Sequence, residues 1–258
     1  MGILFDTSTV SNTSNSSRIR FIGLEYDSMN VGQAVNCLLE HVDRGAPFAY
    51  VVTPNVDHLV RLNAEPELRP LYENADYLVC DSRVLEVLAR LEGKPLPSAP
   101  GADIVENLVR HHISPLEKIV LIGGDADIVE SLARDYGLTN VAWHNPPMGL
   151  RKNPEAIKRA AEFLCEHNER FAFLCVGSPQ QEMVALEAAR MGGAIGVALC
   201  CGASLEFLSG KVTRAPLWMR EARLEWLHRL LSEPHRLWRR YLIDGPRIFR
   251  IWWKSRSA

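Results

Sequence analysis

Apolar positions fall in short blocks separated by amphipathic stretches. The blocks, apolar on both faces, are 47–53 (PFAYVVT), 77–80 (YLVC), 118–122 (KIVLI), 141–143, 171–176 (FAFLCV) and 194–200. Runs of this kind read as buried strands of a parallel sheet. Between them apolar residues recur at helical spacing. That spacing predicts helices over 28–44, from Val56 with a break near Pro66, and over 83–91, 102–112, 126–136, 154–168 and 182–191. Folding is expected to begin at 18–26. Strands alternating with helices predict an α/β fold, a mostly parallel, Rossmann-like sheet with helices on both faces. Ligands of such sheets bind at the carboxyl ends of the strands.

The pattern changes in the last fifth of the chain. Leu224, Leu227, Leu230 and Leu231, then Leu237, Trp238, Tyr241 and Leu242, recur at helical spacing. Residues 211–258 hold twelve Lys/Arg against four Asp/Glu, a net charge of +8, while the whole chain is at −2. The first 210 residues are therefore at −10. Five of the six tryptophans also fall here: Trp218, Trp226, Trp238, Trp252 and Trp253. Arg and Trp interleaved on amphipathic helices suit a bilayer interface, with rings at headgroup level and guanidinium groups on anionic phosphates. Each basic residue near such a surface is worth about 1 kcal/mol. A helical lid packed on the acidic body, with Trp as filler, is the other reading, and the two can coexist. No nucleic-acid-binding motif accompanies the charge, so no nucleic-acid partner is expected. The chain thus divides into a Ser/Thr/Asn-rich arm, 1–17, expected to be disordered, a body, 18–210, and a helical, basic, aromatic-rich C-terminal appendage, 211–258.

Several classes are set aside. No apolar run approaches the ~18–20 residues that span a bilayer. The opening residues lack a basic segment followed by an apolar one, so no secretory signal is expected. Asp6 breaks the N-myristoylation pattern. Six cysteines without a CxxC spacing read as reduced thiols of a cytoplasmic protein rather than metal ligands.

The loops after the strands carry the candidate chemistry. Thr53-Pro54-Asn55 can hold a sugar hydroxyl or a phosphate, or simply cap the next helix. Asp81 follows the run YLVC. A carboxylate there can act as a general base if a partly dry pocket raises its pKa; the plainer role is N-cap of helix 83–91. Gly123-Gly124 permits close backbone approach and aims N–H groups at an anion. Asp125-Ala126-Asp127 is a D-x-D, either a metal-diphosphate clamp or acids favoured at a helix start. In Gly177–Glu182, Gln181 can reach a substrate, and Glu182 can serve the first helical turn. His144 reads as a loop hydrogen-bonder. No Ser–His–Asp or Cys–His arrangement is legible.

Taken in order, these segments are TPN, the Asp81 loop with a helix ending ARLEGKPLP, GADIVENL, a Gly-Gly loop, GSPQQE, GASLEFLSGKVTRAPLWM and LEWLHRLLSEPHRLWRRYL. That order resembles the WecG/TagA/CpsF glycosyltransferases (glycosyltransferase family 26) from about Ile19 to Phe249. The resemblance implies transfer of a sugar, with inversion and without a metal or other cofactor, from a UDP-sugar to a polyprenyl-diphosphate-linked glycan acceptor. It implies peripheral attachment at the cytoplasmic membrane face, with the appendage on an anionic surface and completing the active site. Asp81 matches the proposed base. Thr53, Asn55 and Gln181 match pocket residues, and Arg229, Arg236 and Arg239 match arginines that hold the diphosphate. Gly123 and Gly124 are expected to stabilise the leaving UDP. Three positions depart from the family pattern. Ser82 replaces a Gly, Glu206 an Asp, and Asp125-Ala126-Asp127 a Pro-Gly pair. Competing expectations are a non-catalytic membrane-associated binding module and a soluble nucleotide-sugar enzyme with the tail as lid. A homo-oligomer is one way to cover the tail in solution.

Overall fold

A computed structural model describes residues 17–216, 218, 219 and 224–256, the side chain of Arg236 excepted. Apart from Ser17, the expected disordered arm lies outside the described residues. The chain opens with a hairpin, β1 (Arg18–Phe21) antiparallel to β2 (Leu24–Asp27). Its turn holds Ile22 and Gly23 at positive φ, the twist a two-residue hairpin requires. Ile is an unusual residue there, so the turn carries no sequence signal.

The six remaining strands form one parallel sheet in the order β4-β3-β8-β7-β5-β6. They are β3 (Ala49–Val52), β4 (Tyr77–Leu78), β5 (Ile119–Gly123), β6 (Val141–His144), β7 (Phe171–Cys175) and β8 (Val197–Cys200). Successive side chains point to opposite faces, so Tyr50 and Val52 enter one core layer and Ala49 and Val51 the other. One face is covered by α2 (Val56–Ala64), α4 (Arg83–Leu91), α7 (Pro154–His167) and α8 (Gln180–Met191). The other is covered by α1 (Val31–Asp43), α5 (Gly101–His111), α6 (Ala126–Tyr136) and α9 (Ser204–Leu208). A short helix, α3 (Pro70–Glu73), follows the break expected near Pro66.

Strand β4 is shorter than the apolar run predicts. The Val79 N–H still donates to Val52 O at 3.0 Å, but Cys80 O accepts instead from the Ala99 N–H at 2.8 Å. The chain leaves the ladder just before Asp81. Strands β3 and β4 wind toward one edge of the sheet and β5 and β6 toward the other, so their loops diverge above the inner strands β7 and β8.

The appendage contains α10 (Glu225–Ser232), α11 (Pro234–Trp238), a π-helix (Arg239–Asp244) and α12 (Arg247–Ser255). Leu237 and Ile248 are buried, and Ile251 and Trp252 pack on the core layer that includes α2. Trp218, Trp226, Leu231, Trp238, Leu242, Ile243, Phe249 and Trp253 remain exposed. The segment is therefore a packed lid on its inner side and an apolar, basic surface on its outer side. No helix of the described residues is long and apolar enough to cross a membrane.

Candidate active site

The site is assembled by backbone bonds between strand-end loops. The Asp81 N–H donates to Pro54 O at 3.0 Å, which ties the loop after β4 to Thr53-Pro54-Asn55. Gly101, at the start of α5, closes the group from above. Its backbone N–H donates to the Asp81 carboxylate. A Cβ on Gly101 would stand 2.8 Å from Thr53 Oγ1, so the missing side chain is what lets α5 lie against Thr53.

Asp81 is not the cap of α4. Ser82 is, its Oγ accepting the Leu85 N–H at 3.3 Å. Asp81 is half-buried. Burial pushes its pKa up to about 7, with Glu225 and Asp103 adding to the rise and the Gly101 N–H and Arg229 opposing it. Removing a carboxylate from water disfavours its charged form, so this group exchanges a proton near neutrality.

The other expected residues divide. Asn55 caps α2, its Oδ1 accepting from the N–H groups of Asp57 at 3.0 Å and His58 at 3.4 Å. Its amide Nδ2 is the part available to a substrate. Gln181 is buried, and its amide is engaged at both ends. Nε2 donates to Glu182 Oε1 at 3.0 Å, and Oε1 accepts the Gly202 N–H at 2.9 Å. Gln181 therefore holds the loop after β8, with one amide hydrogen to spare. Glu182 stands in the first turn of α8, as expected, and is fully buried there; burial pushes its carboxyl up.

Gly123 and Gly124 have φ of +89° and +69°. A Cβ on Gly123 would lie 2.7 Å from Val176 Cγ1, and Trp143 Nε1 donates to Gly123 O at 2.9 Å. The loop is thus fixed, but it follows β5, three strands from β3. At strand spacing that is roughly 14 Å. Asp81 follows β4, one strand further out, so the Gly-Gly loop and Asp81 stand at well-separated points along the sheet edge. The D-x-D opens α6 and already has partners within the chain. Asp125 caps α6 through the Ile128 N–H and pairs with Lys211.

From the appendage, Arg229 is partly buried, with its guanidinium 5.3 Å from the Phe207 ring centre. Its Nε has no hydrogen-bond partner among the described residues. Its charge lowers the pKa of Asp81. Arg239 is exposed at the start of the π-helix. The side chain of Arg236 lies outside the described residues.

Three contacts escaped the sequence reading. Arg214 meets Asp103, Glu106 and Glu225. Arg240 reaches Asp57 of α2 at 3.5 Å. Beneath that pair, Arg61 Nη2 donates to Ser178 Oγ at 2.6 Å, and the Tyr72 hydroxyl lies 3.3 Å from both His58 Nδ1 and Ser178 Oγ. Burial, then Arg61 and Arg240, push the His58 pKa down. Arg214 lies inside the quoted run KVTRAP, but its partners are far along the chain, and spacing cannot reveal them.

Comparison with known proteins matches residues 19–258 to the family model described as "Glycosyl transferase WecG/TagA/CpsF family". An N-acetylglucosaminyldiphosphoundecaprenol N-acetyl-beta-D-mannosaminyltransferase of Bacillus spizizenii is 27% identical over 199 residues, covering 75% of this chain and 75% of that protein. A Staphylococcus aureus (strain MW2) protein of the same name is 24% identical over 237 residues, covering 90% and 91%.

Proposed function

The chain belongs to the WecG/TagA/CpsF glycosyltransferase family, and on that premise we propose that it moves a sugar from a UDP-sugar to a polyprenyl-diphosphate-linked glycan acceptor, with inversion and without a metal. The observation that carries the proposal is Asp81. It stands at the carboxyl end of β4, its pKa raised to about 7, with the charge of Arg229 acting on it from the appendage. A base poised near neutrality beside a fixed cation is what a direct displacement needs.

Asp81 accepts the proton of an acceptor hydroxyl as that oxygen bonds to the anomeric carbon. The bond from the anomeric carbon to the diphosphate oxygen breaks, and UDP leaves with the electron pair. Arg229, with Arg236 and Arg239, supplies positive charge to the leaving diphosphate through charge-assisted hydrogen bonds. Thr53 and the Asn55 amide would hold sugar hydroxyls. The Gly123-Gly124 loop fits the nucleoside end of the donor rather than its diphosphate, given the strand order. The acceptor carried over from the relatives' names is N-acetylglucosaminyl-diphosphoundecaprenol, with N-acetylmannosamine the first donor sugar to test. The exposed Trp and Arg of the appendage would meet the anionic, cytoplasmic membrane face on which such an acceptor is anchored.

The test is UDP release and glycan extension with a panel of UDP-sugars, in EDTA, with a short polyprenyl-diphosphate acceptor. Acceptor-dependent release from one donor is expected. Release only after Mn²⁺ is added would overturn metal independence, and no release from any donor would overturn the transferase reading.

A further inference from the structure

Arg214 is held apart from the strand-end loops, and its surroundings are unusual. Its side chain is only 14% exposed, and it meets three carboxylates. Nη2 lies 2.6 Å from Asp103, Nη1 3.3 Å from Glu106, and Nε 3.4 Å from Glu225. Asp103 and Glu106 stand on α5, whose Gly101 N–H holds Asp81. Glu225 opens α10. One side chain therefore fastens the appendage to the body at the end of the sheet where the site lies. A buried guanidinium is stable only if its donors are met, and here its planar fork is divided between two helices.

The consequence for Arg229 follows from helix geometry. Residues four apart share one face of a helix, so fixing Glu225 also fixes the side from which Arg229 emerges one turn later. The Phe207 ring supports the Arg229 guanidinium from α9. We infer that Arg214 is a positioning residue that seats α10 against α5 and thereby aims Arg229 at Asp81. The seating stands on these contacts alone; its effect on turnover rests on the transferase reading.

The charged groups acting on Asp81 are Glu225 and Asp103, which raise its pKa, and Arg229, which lowers it together with the Gly101 N–H. Two of the three partners of Arg214 are those same acids. Without Arg214, both act on Asp81 without its opposing charge, and Arg229 is no longer held in place. Every one of these changes makes Asp81 keep its proton to higher pH.

The experiment uses the full chain with Arg214→Met and reads two quantities. Hydrogen exchange of the amides in 225–232 should speed up about tenfold or more, while those of 83–91 stay as in wild type. The lower limb of the pH profile of kcat/KM should move up by about one unit, a loss of about fivefold at pH 7 that closes by pH 9. Adding Glu225→Gln to Arg214→Met should bring the limb part of the way back. Unchanged exchange in 225–232 would overturn the inference. So would a loss of equal size at every pH, which a merely structural role would give. If Arg214→Met does not fold, Arg214→Lys carries the test, because one ammonium cannot fork to three carboxylates. Exchange in 225–232 should then rise above wild type, and wild-type protection would overturn the seating. Should the wild-type chain transfer no sugar, the functional reading fails on its own, and the exchange measurement still decides the seating.

Discussion

Ser82 Oγ accepts the Leu85 N–H at 3.3 Å, and this bond relieves the adjoining Asp81 of capping α4. The Asp81 carboxylate is left to the pocket, where burial raises its pKa to about 7. Turnover should therefore climb as pH rises through about 7 and then level off. Asp81→Asn should lower kcat by about 10²–10⁴ and abolish that limb. The same shift has a stability consequence. The folded protein binds this proton more tightly than the unfolded chain does, so ionisation opposes folding increasingly from about pH 4 to pH 7. Asp81→Asn should be the more stable protein above pH 7, by on the order of 1–3 kcal/mol, with the gap closing toward pH 4. Denaturant melts at pH 5 and pH 8 measure it, and equal stability at both would contradict the raised pKa.

Ser82→Ala should cost about 1 kcal/mol of stability by removing the cap, and Ser82→Gly only a few tenths. Turnover at saturating substrate should stay within about twofold of wild type in both, because Ser82 caps the helix and has no part in the proposed proton transfer. Thermal melts beside steady-state rates separate the two effects.

Gly101→Ala places a methyl 2.8 Å from Thr53 Oγ1. The helix can accept it, since Gly101 is not at positive φ. Thr53 has to give way, and its displacement is felt beside Asp81. The expected result is a loss of about tenfold or more in kcat/KM with stability changed by less than about 1 kcal/mol. A wild-type rate would remove Thr53 from the site.

Lys211 pairs with Asp125 across the mouth of α6, and its hydrogen bond holds the Asp125 carboxyl below the usual carboxylate range. Asp125→Asn keeps a good cap and deletes the pair, which at such exposure adds little to stability. Transfer in EDTA should be unchanged. A drop restored by a divalent cation in the wild type alone would make Asp125 a metal ligand.

Trp218 and Trp253 are 62% and 66% exposed on the outer side of the appendage. The double variant Trp218→Ala, Trp253→Ala should bind vesicles of anionic lipid at least about tenfold more weakly, since interfacial rings and basic residues act together. Binding of the wild type should fall with added salt. Equal flotation of both proteins would move the contact elsewhere.

How the site was read from the sequence depended on whether its groups act locally. Strand-end position put Thr53, Asn55, Asp81 and Gly123-Gly124 in view, because alternation of apolar runs with helices already implies which loops share an edge. It could not say which of two neighbours caps a helix, so Asp81 and Ser82 were separated only by geometry. Gln181 is expected to reach a substrate; only folding shows that its Nε2 also donates to Glu182 and its Oε1 accepts from Gly202 of the β8 loop. The separation of Gly123 from Asp81 comes from strand order, which sequence periodicity does not encode.

The sequence by itself determined the α/β class, the basic, aromatic composition of residues 211–258 and the family, because apolar period, charge density and motif order are properties of neighbouring residues. The tertiary structure decided the rest. It set the order β4-β3-β8-β7-β5-β6, bound Asp81 to Pro54 and Gly101, and brought Arg214 to Asp103, Glu106 and Glu225. These pairings join residues distant along the chain. Their energies come from burial and from charges meeting at short range, neither of which exists until the chain has folded.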